Sequence, residues 1–229
     1  MGEDKEVSLA TLNWEPYVGE KLEHFGFSTH IVTEAFKRVG YRVKYTFLPW
    51  ARLLNQVAAG KFDAGCAAYY SEERAAVYAF SAPYARGPVV LYKRKDRDIE
   101  YRKLTDLKPY RIGVVRGYVN NPEFDAADYL SKEVANDNDL NMKKLLIERL
   151  DLIAIDKFVA QYIIKTSLPQ GAGVLEALDP PLADNPIHLI FSKKRNGYER
   201  KIQDFNRGLQ AIIDDGTVQN ILQLHGFVD

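Results

Sequence analysis

Apolar positions follow two alternating patterns along this chain. Tyr41–Phe47 alternates apolar and polar residues as a half-buried strand does, whereas Phe27–Val39 places Ile31, Val32, Ala35, Phe36 and Val39 on one face of a helix. Strands that alternate with helices are typical of an α/β chain, in which helices pack on sheets. The predicted strands cover residues 7–12, 41–47, 63–68, 88–92, 111–115, 152–155 and 187–191. The predicted helices cover residues 27–39, 51–59, 126–133, 142–150, 158–166 and 197–214, followed by a last helix ending near His225–Gly226.

Two apolar strands, residues 88–92 and 187–191, bracket the middle third of the chain. This arrangement predicts two α/β lobes joined by two crossover strands, because the chain leaves one lobe, builds the second and returns. We expect residues 1–87 and 190–229 to form lobe 1 and residues 88–189 to form lobe 2. The 229 residues are enough for two lobes of about 100 residues each.

Composition excludes several classes of function. Lys+Arg and Asp+Glu are balanced at 31 each, so no field of one sign favours nucleic acid as a partner. The single cysteine, Cys66, excludes an intrachain disulfide and a multi-cysteine metal site, and its small neighbours predict that it is buried. The four histidines are scattered without metal-ligand spacing. We therefore expect no metal and no cofactor.

The sequence also bears on membrane insertion and export. It has no apolar run of about 18 residues, so we expect no direct membrane insertion. Its polar start, Met1–Lys5, lacks the apolar core of a signal peptide, while a strand-like segment already begins at Val7. Either the protein is cytoplasmic, or the sequence is a mature form with a replaced start. The second interpretation is favoured by how soon the fold begins.

One short motif contains a candidate ligand-binding residue. Ser71-Glu72-Glu73-Arg74 is followed by Ser81-Ala82-Pro83-Tyr84, and it comes after a strand and a turn, with Arg74 expected just before a short helix. The guanidinium group of arginine offers two parallel donors and stays charged at physiological pH. Arg74 is therefore a candidate to hold a carboxylate, although an arginine on a surface helix has the same local sequence.

An ordered series of motifs extends this observation over nearly the whole chain. It consists of Trp14-Glu15-Pro16-Tyr17, Gly26-Phe27, Trp50, Gly60-Lys61-Phe62-Asp63, the Arg74 motif, Leu107–Gly117, Asp151–Asp156 and Asp215–Gly226. This series resembles bacterial extracellular solute-binding proteins of family 3. The resemblance implies a two-lobed type II periplasmic-binding fold with a ligand cleft between the lobes. It implies capture of an amino acid or related carboxylate in the periplasm, and delivery to the membrane permease of an ABC transporter, by a monomer.

The resemblance also implies roles for individual residues. Arg74 falls where the family binds an α-carboxylate, with Ser71 assisting, and Asp156 falls where it binds an α-ammonium. Trp14 and Trp50 fall where aromatic side chains sandwich the ligand. Asp156 is also placed to cap the helix that follows, and both tryptophans are equally compatible with a core position.

Several residues near these positions depart from the family pattern and become further pocket candidates. Tyr118 follows Gly117 where threonine is frequent, and Tyr69 and Tyr70 replace the usual small donors. Arg52 adds a second arginine close to Trp50. The acidic residue that binders of basic amino acids often carry on the first strand is absent, since Thr11-Leu12-Asn13 is neutral.

Other function classes remain as alternatives to a binding protein. The sequence contains no Gly-x-Ser-x-Gly, His-Glu-x-x-His or phosphate-loop motif, so we expect that the protein is not an enzyme. An enzymatic alternative is a lyase or dehydratase on the same fold, with Glu15 or Asp156 as general acid. A third reading is the ligand-sensing domain of a receptor, for which a flanking transmembrane helix would be usual.

Overall fold

The computed structural model describes residues 5–227 and has a mixed α/β fold. The polar segment Met1–Asp4 and residues 228–229, which belong to the predicted first lobe, lie outside this range. The strands are β1 Lys5–Thr11, β2 Tyr41–Phe47, β3 Ala64–Tyr69, β4 Tyr78–Phe80, β5 Ala85–Arg94, β6 Arg111–Val115, β7 Ser131–Ala135, β8 Leu152–Asp156, β9 Leu175–Ala177 and β10 Ala183–Ser192. The α-helices are α1 Phe27–Arg38, α2 Trp50–Ala58, α3 Glu72–Val77, α4 Pro122–Ala126, α5 Asn138–Leu146, α6 Lys157–Thr166, α7 Tyr198–Asp214 and α8 Thr217–Leu224. Short 3₁₀ turns cover Glu23–Phe25, Leu104–Leu107 and Pro169–Gly171.

The chain forms two compact units, and the first contains the described residues up to Ala85 and from Pro186 onwards. In this unit β1 pairs in parallel with both β2 and β3, and the distal part of β10 pairs antiparallel with β3 and β4. Helix α7 packs closely on α1, since a Cβ at Gly208 would lie 1.9 Å from the carbonyl oxygen of Ala35. Only glycine allows the two helix backbones to approach this closely.

The second unit contains Arg86–Asn185. Strand β6 pairs in parallel with β7 and β8, whereas β5 pairs antiparallel with β8 and β9. Its hydrophobic core includes Leu91, Leu107, Ile112, Phe124 and Leu152. Each unit therefore has a small sheet with three mutually parallel strands and its own buried core.

The prediction of a helix over residues 126–133 is wrong. The helix in this region is α4, which begins at Pro122 because the side chain of Asn121 accepts a hydrogen bond from the Phe124 amide at 3.0 Å. Residues 131–135 instead form β7, paired along its whole length with β6. Strand formation at such a site depends on the neighbouring strand more than on local propensity.

The helix predicted over residues 142–150 is displaced toward the N-terminus. Helix α5 begins at Asn138 because Asp137 caps it, its side chain accepting a hydrogen bond from the Leu140 amide at 2.8 Å. The helix ends at Leu146, and Glu148 adopts a left-handed backbone conformation with φ of 61°. The cap and this turn fix the bounds that apolar spacing alone placed incorrectly.

A buried carboxylate, Asp63, ties together three distant segments of the first unit. One oxygen accepts hydrogen bonds from the Ser8 amide and hydroxyl at 2.8 and 2.9 Å, and the other from Lys201 Nζ at 2.6 Å and Arg195 Nε at 3.0 Å. Burial raises the pKa of Asp63, but the hydrogen bonds from Lys201 and Ser8 outweigh it and lower the pKa overall. The stabilisation by this carboxylate is therefore present above its unfolded pKa, and it is lost as the pH falls through the lower folded value.

We predict that Asp63→Asn lowers the free energy of unfolding by about 3 kcal/mol. This is near the low end of the cost of removing one partner from a buried ion pair, because Arg195 is partly exposed to water. Urea unfolding at neutral pH measures the change. Asp128→Asn, at an exposed position of the second unit, is the matched control and should stay within about 0.5 kcal/mol of the wild type. Equal stability of the Asp63 variant and the control would contradict the prediction.

Candidate functional site

The carboxyl ends of three parallel strands meet at one edge of the first unit. These strands are β1, β2 and β3, ending at Thr11, Phe47 and Tyr69. Trp14 follows the first strand, Trp50 follows the second and Arg74 follows the third. Ligands of α/β proteins bind beyond the carboxyl ends of parallel strands. The sheet topology therefore explains how residues distant in sequence are collected at one edge.

Arg74 lies within a helix, which corrects the expectation that it precedes one. It is the third residue of α3, whose N-cap Ser71 accepts a hydrogen bond from the Arg74 amide at 3.2 Å. Its Nη1 donates to the carbonyl oxygen of Tyr69 at 2.7 Å, and its guanidinium carbon lies 5.0 Å from the centre of the Trp50 ring. The side chain is buried, with an exposed fraction of 8%. The arginine is therefore held in a fixed orientation rather than projecting into solvent.

Trp14 belongs to an aromatic cluster at the same edge. Its ring stacks on Tyr17 with centroids 4.4 Å apart, and it meets the Tyr69 ring edge-on at 5.6 Å. Tyr17 in turn contacts Phe27 at 5.1 Å. Trp14 and Tyr69 are both buried. Since Tyr69 also accepts the hydrogen bond from Arg74, these aromatic residues and the arginine form one contiguous group.

Two further candidates of the first unit are exposed. The hydroxyl of Tyr70 donates to Glu72 Oε1 at 2.9 Å, and this hydrogen bond raises the pKa of Tyr70. The Tyr70 ring rests on Phe80 with centroids 5.1 Å apart. Arg52 is exposed on α2. Neither residue belongs to the buried group around Arg74 described above.

The second unit also gathers its candidates at the carboxyl ends of parallel strands. Gly117 and Tyr118 follow β6, and Asp156 is the last residue of the neighbouring β8. Gly117 has φ of +71°, a conformation that favours glycine, and the Tyr118 amide closes a turn onto the Val115 carbonyl oxygen at 3.1 Å. The turn places the half-buried Tyr118 directly after the strand.

Asp156 caps helix α6, as the alternative reading of its sequence expects. Its Oδ1 accepts hydrogen bonds from the amides of Phe158 and Val159 at 2.9 and 3.1 Å, and the residue is buried. Amide donors and the helix dipole both stabilise a negative charge at this position. A carboxylate is thus fixed at the strand end, and its proposed contact with an ammonium group stays a prediction.

Sequence reasoning missed one residue that shapes the edge near Tyr69. The hydroxyl of Tyr84 accepts a hydrogen bond from the amide of Ala67, a residue of β3 with an unusual φ of +62°. The Ser28 hydroxyl donates to the same oxygen at 3.3 Å. Tyr84 ends the Ser-Ala-Pro-Tyr motif, so the sequence did single out this segment. Only the fold shows that the Tyr84 hydroxyl supports the strained backbone of Ala67 in β3.

The described residues show neither a metal-binding cluster nor an accessible thiol. Among residues 5–227, no group of three or more His, Cys, Asp or Glu side chains is arranged to hold a metal ion. Cys66 is fully buried, as predicted, and burial raises the pKa of its thiol. No helix in the described part of the chain is long and apolar enough to cross a membrane.

Solved structures resemble this fold closely. The ligand-binding core of GluR0 from Nostoc punctiforme, in complex with L-glutamate, shares 18% identity over 97% of this chain and 100% of that one, with a TM-score of 0.80. An ancestral arginine-binding protein bound to arginine shares 21% identity over 96% and 98%, with a TM-score of 0.81. The arginine-, lysine-, histidine-binding protein ArtJ from Geobacillus stearothermophilus shares 18% identity over 98% and 96%, with a TM-score of 0.80. These likenesses establish the type II periplasmic-binding fold.

Sequence comparison identifies the family directly. No curated protein matches this chain. The profile of the bacterial extracellular solute-binding proteins, family 3, matches residues 9–226, which is nearly the whole sequence. The predicted resemblance and fold class are therefore confirmed, and the chain belongs to the bacterial extracellular solute-binding proteins of family 3.

Proposed function

We propose that this protein captures an amino acid, or a similar small solute with a carboxylate, for an ABC importer. It would do so in the periplasm and hand the solute to a membrane permease, without catalysing a reaction. Membership of a family of solute-binding proteins supports this role, as does the likeness to the substrate-binding protein of an amino acid ABC transporter.

The observation that carries the proposal is the setting of Arg74. Its guanidinium group is buried at the carboxyl ends of the parallel strands, fixed by the Tyr69 carbonyl oxygen and by the Trp50 ring. A fixed guanidinium group binds a carboxylate through two parallel hydrogen bonds and loses little entropy in doing so. We assign the carboxylate of the solute to Arg74, with the rings of Trp14 and Trp50 beside it.

The second unit supplies the other half of the proposed site. We assign an α-ammonium group of the solute to Asp156, whose carboxylate is already oriented by the two amides at the start of α6. We propose that the two compact units are the two lobes expected from the sequence, and that one solute engages both residues. Such a solute shifts the protein toward the conformation in which both contacts are made, because only that conformation binds both of its ends.

A second candidate function has one observation in its favour. The structure of GluR0 that this chain matches is described as a ligand-binding core. A ligand-sensing domain would use the same solute contacts but would pass the signal to a further domain instead of a permease. Uptake of the identified solute by cells with and without this protein distinguishes the two roles, since only the importer function requires uptake.

The first experiment is a thermal-shift screen with α-amino acids, organic acids without an amine and polyamines. A solute at about one hundred times its Kd stabilises the folded state by about 2.7 kcal/mol. We expect a shift with one group of α-amino acids. A shift only with amine-free acids would retain Arg74 and remove the role of Asp156. A shift only with polyamines would contradict the proposal, and turnover of a stabilising solute would favour a lyase or dehydratase.

We predict that Arg74→Ala weakens binding of the identified solute by at least about 2–3 kcal/mol, because the carboxylate would then be buried without its partner. Isothermal titration calorimetry measures the loss. Arg149→Ala is the matched control, since Arg149 is exposed on the second unit. Unchanged affinity of the Arg74 variant would refute the assignment.

Asp156 allows its capping role and its proposed binding role to be separated. Asparagine is also a good N-cap, so Asp156→Asn should retain stability, whereas Asp156→Ala should lower it by about 1 kcal/mol. We expect Asp156→Asn to weaken an amine-bearing solute much more than its amine-free analogue. Equal losses for the two solutes, measured by calorimetry, would leave Asp156 with the capping role alone.

A further inference from the structure

Three of the four histidines, far apart in sequence, meet in the first unit where the C-terminal helix lies near the start of α1. His24 lies in the turn Glu23–Phe25, His30 lies in α1 and His225 directly follows α8. The rings of His24 and His30 stack with centroids 3.9 Å apart. His30 Nδ1 lies 3.3 Å from His225 Nε2. We call these residues the histidine cluster.

The contact between His30 and His225 depends on protonation. A neutral imidazole has one nitrogen that donates and one that accepts, whereas a protonated imidazole only donates. The hydrogen bond therefore requires at least one neutral ring. Protonation of both rings would place two donors and two positive charges at the same contact, with the stacked His24 ring beside them.

The charges around the pair act in opposite directions. Burial, followed by the neighbouring imidazoles, lowers the pKa of His30 and of His225. Glu23 in the turn acts against this on both residues, and Glu34 in α1 does so on His30, but neither outweighs it. Glu34 is itself paired with Lys37 at 3.0 Å. The local surroundings thus favour the neutral form of both rings.

Helix α8 packs on α1 and α7, and Asp215, just before it, pairs with Arg38 of α1. Within the helix, Ile221 is its buried residue. Beyond it, the ring of Phe227 rests on Phe27 with centroids 4.3 Å apart. Segments with few buried contacts open at a lower free energy than the core. A change at the histidine cluster should therefore alter the docking of α8 before it affects the rest of the unit.

We propose that the histidine cluster is an acid-sensitive latch, which docks α8 and the following residues on α1 at neutral pH and releases them in mild acid. The inference is independent of the proposed solute. Released His30 and His225 titrate near the ordinary value of about 6.5 and the docked ones below it, so the released state binds more protons in acid. The free energy that docks α8 is therefore fully present above about pH 6.5, and it decreases as the pH falls below this value.

Hydrogen exchange of the full chain tests the latch at about pH 7.5 and about pH 5.5, with EDTA present to remove metal ions. Rates are corrected for intrinsic exchange, and amides of α8 are compared with amides of β3. We expect protection of α8 relative to β3 to fall by about tenfold in acid, equivalent to about 1.4 kcal/mol.

The variants identify the cause of this change. In His30→Gln/His225→Gln the acid-dependent fall should disappear. If the double variant folds poorly, His30→Gln alone should reduce the fall, because it removes the contact with His225, while burial and His24 still lower the pKa of His225. His188→Gln is the control, since burial also lowers the pKa of His188, but its ring bonds to the Ser81 carbonyl oxygen outside the cluster. This variant should retain the fall. An unchanged α8 protection in the wild type, or an equal fall in the double variant, would overturn the proposal.

Discussion

The parallel pairing of β1 with β2 and β3 is the constraint on which the candidate site depends. Parallel strands point the same way, so the segments that follow them emerge at one edge of the sheet. This geometry brings the segments that carry Trp14, Trp50 and Arg74 to one edge. The second unit repeats it with β6 and β8, whose ends carry Gly117 and Asp156. Sheet topology therefore places the candidate residues at the carboxyl ends of the parallel strands, where side-chain contacts orient them.

Asp63 secures the opposite end of the same sheet. It lies just before β3 and bonds to Ser8 of β1 and to Lys201 of α7. Residues 195–201, which enter α7, are thereby joined to strand β1 and to the start of β3. A buried carboxylate with several donors is costly to disrupt, because any partner left behind is deprived of its counter-charge. In the first unit, this buried ion cluster lies before β3, while the residues proposed to bind solute follow the carboxyl ends of the strands.

Much of the fold could be predicted because apolar spacing reports directly on burial. The bounds of β2 and β6 follow from their patterns, and the ordered motifs identify the family. The helix predicted over residues 126–133 failed for a physical reason, since β7 exists through its pairing with β6 and has no pattern of its own. Caps at Asn121 and Asp137 fix the helix starts more firmly than periodicity does.

The roles assigned to the candidate site residues stay predictions, and the sequence did not indicate their contacts. It singled out Arg74 and Asp156 but did not reveal the hydrogen bond to the Tyr69 carbonyl oxygen or the support of Ala67 by Tyr84. It also treated the histidines as scattered, because only the packing of α8 brings His225 to His30. Long-range contacts of this kind leave no local signal in a single sequence.

A crystal structure of the protein with its identified solute tests the central claim most directly. The account predicts the carboxylate oxygens of the solute at about 2.7–2.9 Å from the guanidinium nitrogens of Arg74, the range of charge-assisted hydrogen bonds. A solute whose carboxylate is held elsewhere, with Arg74 bonded only to protein atoms, would contradict it.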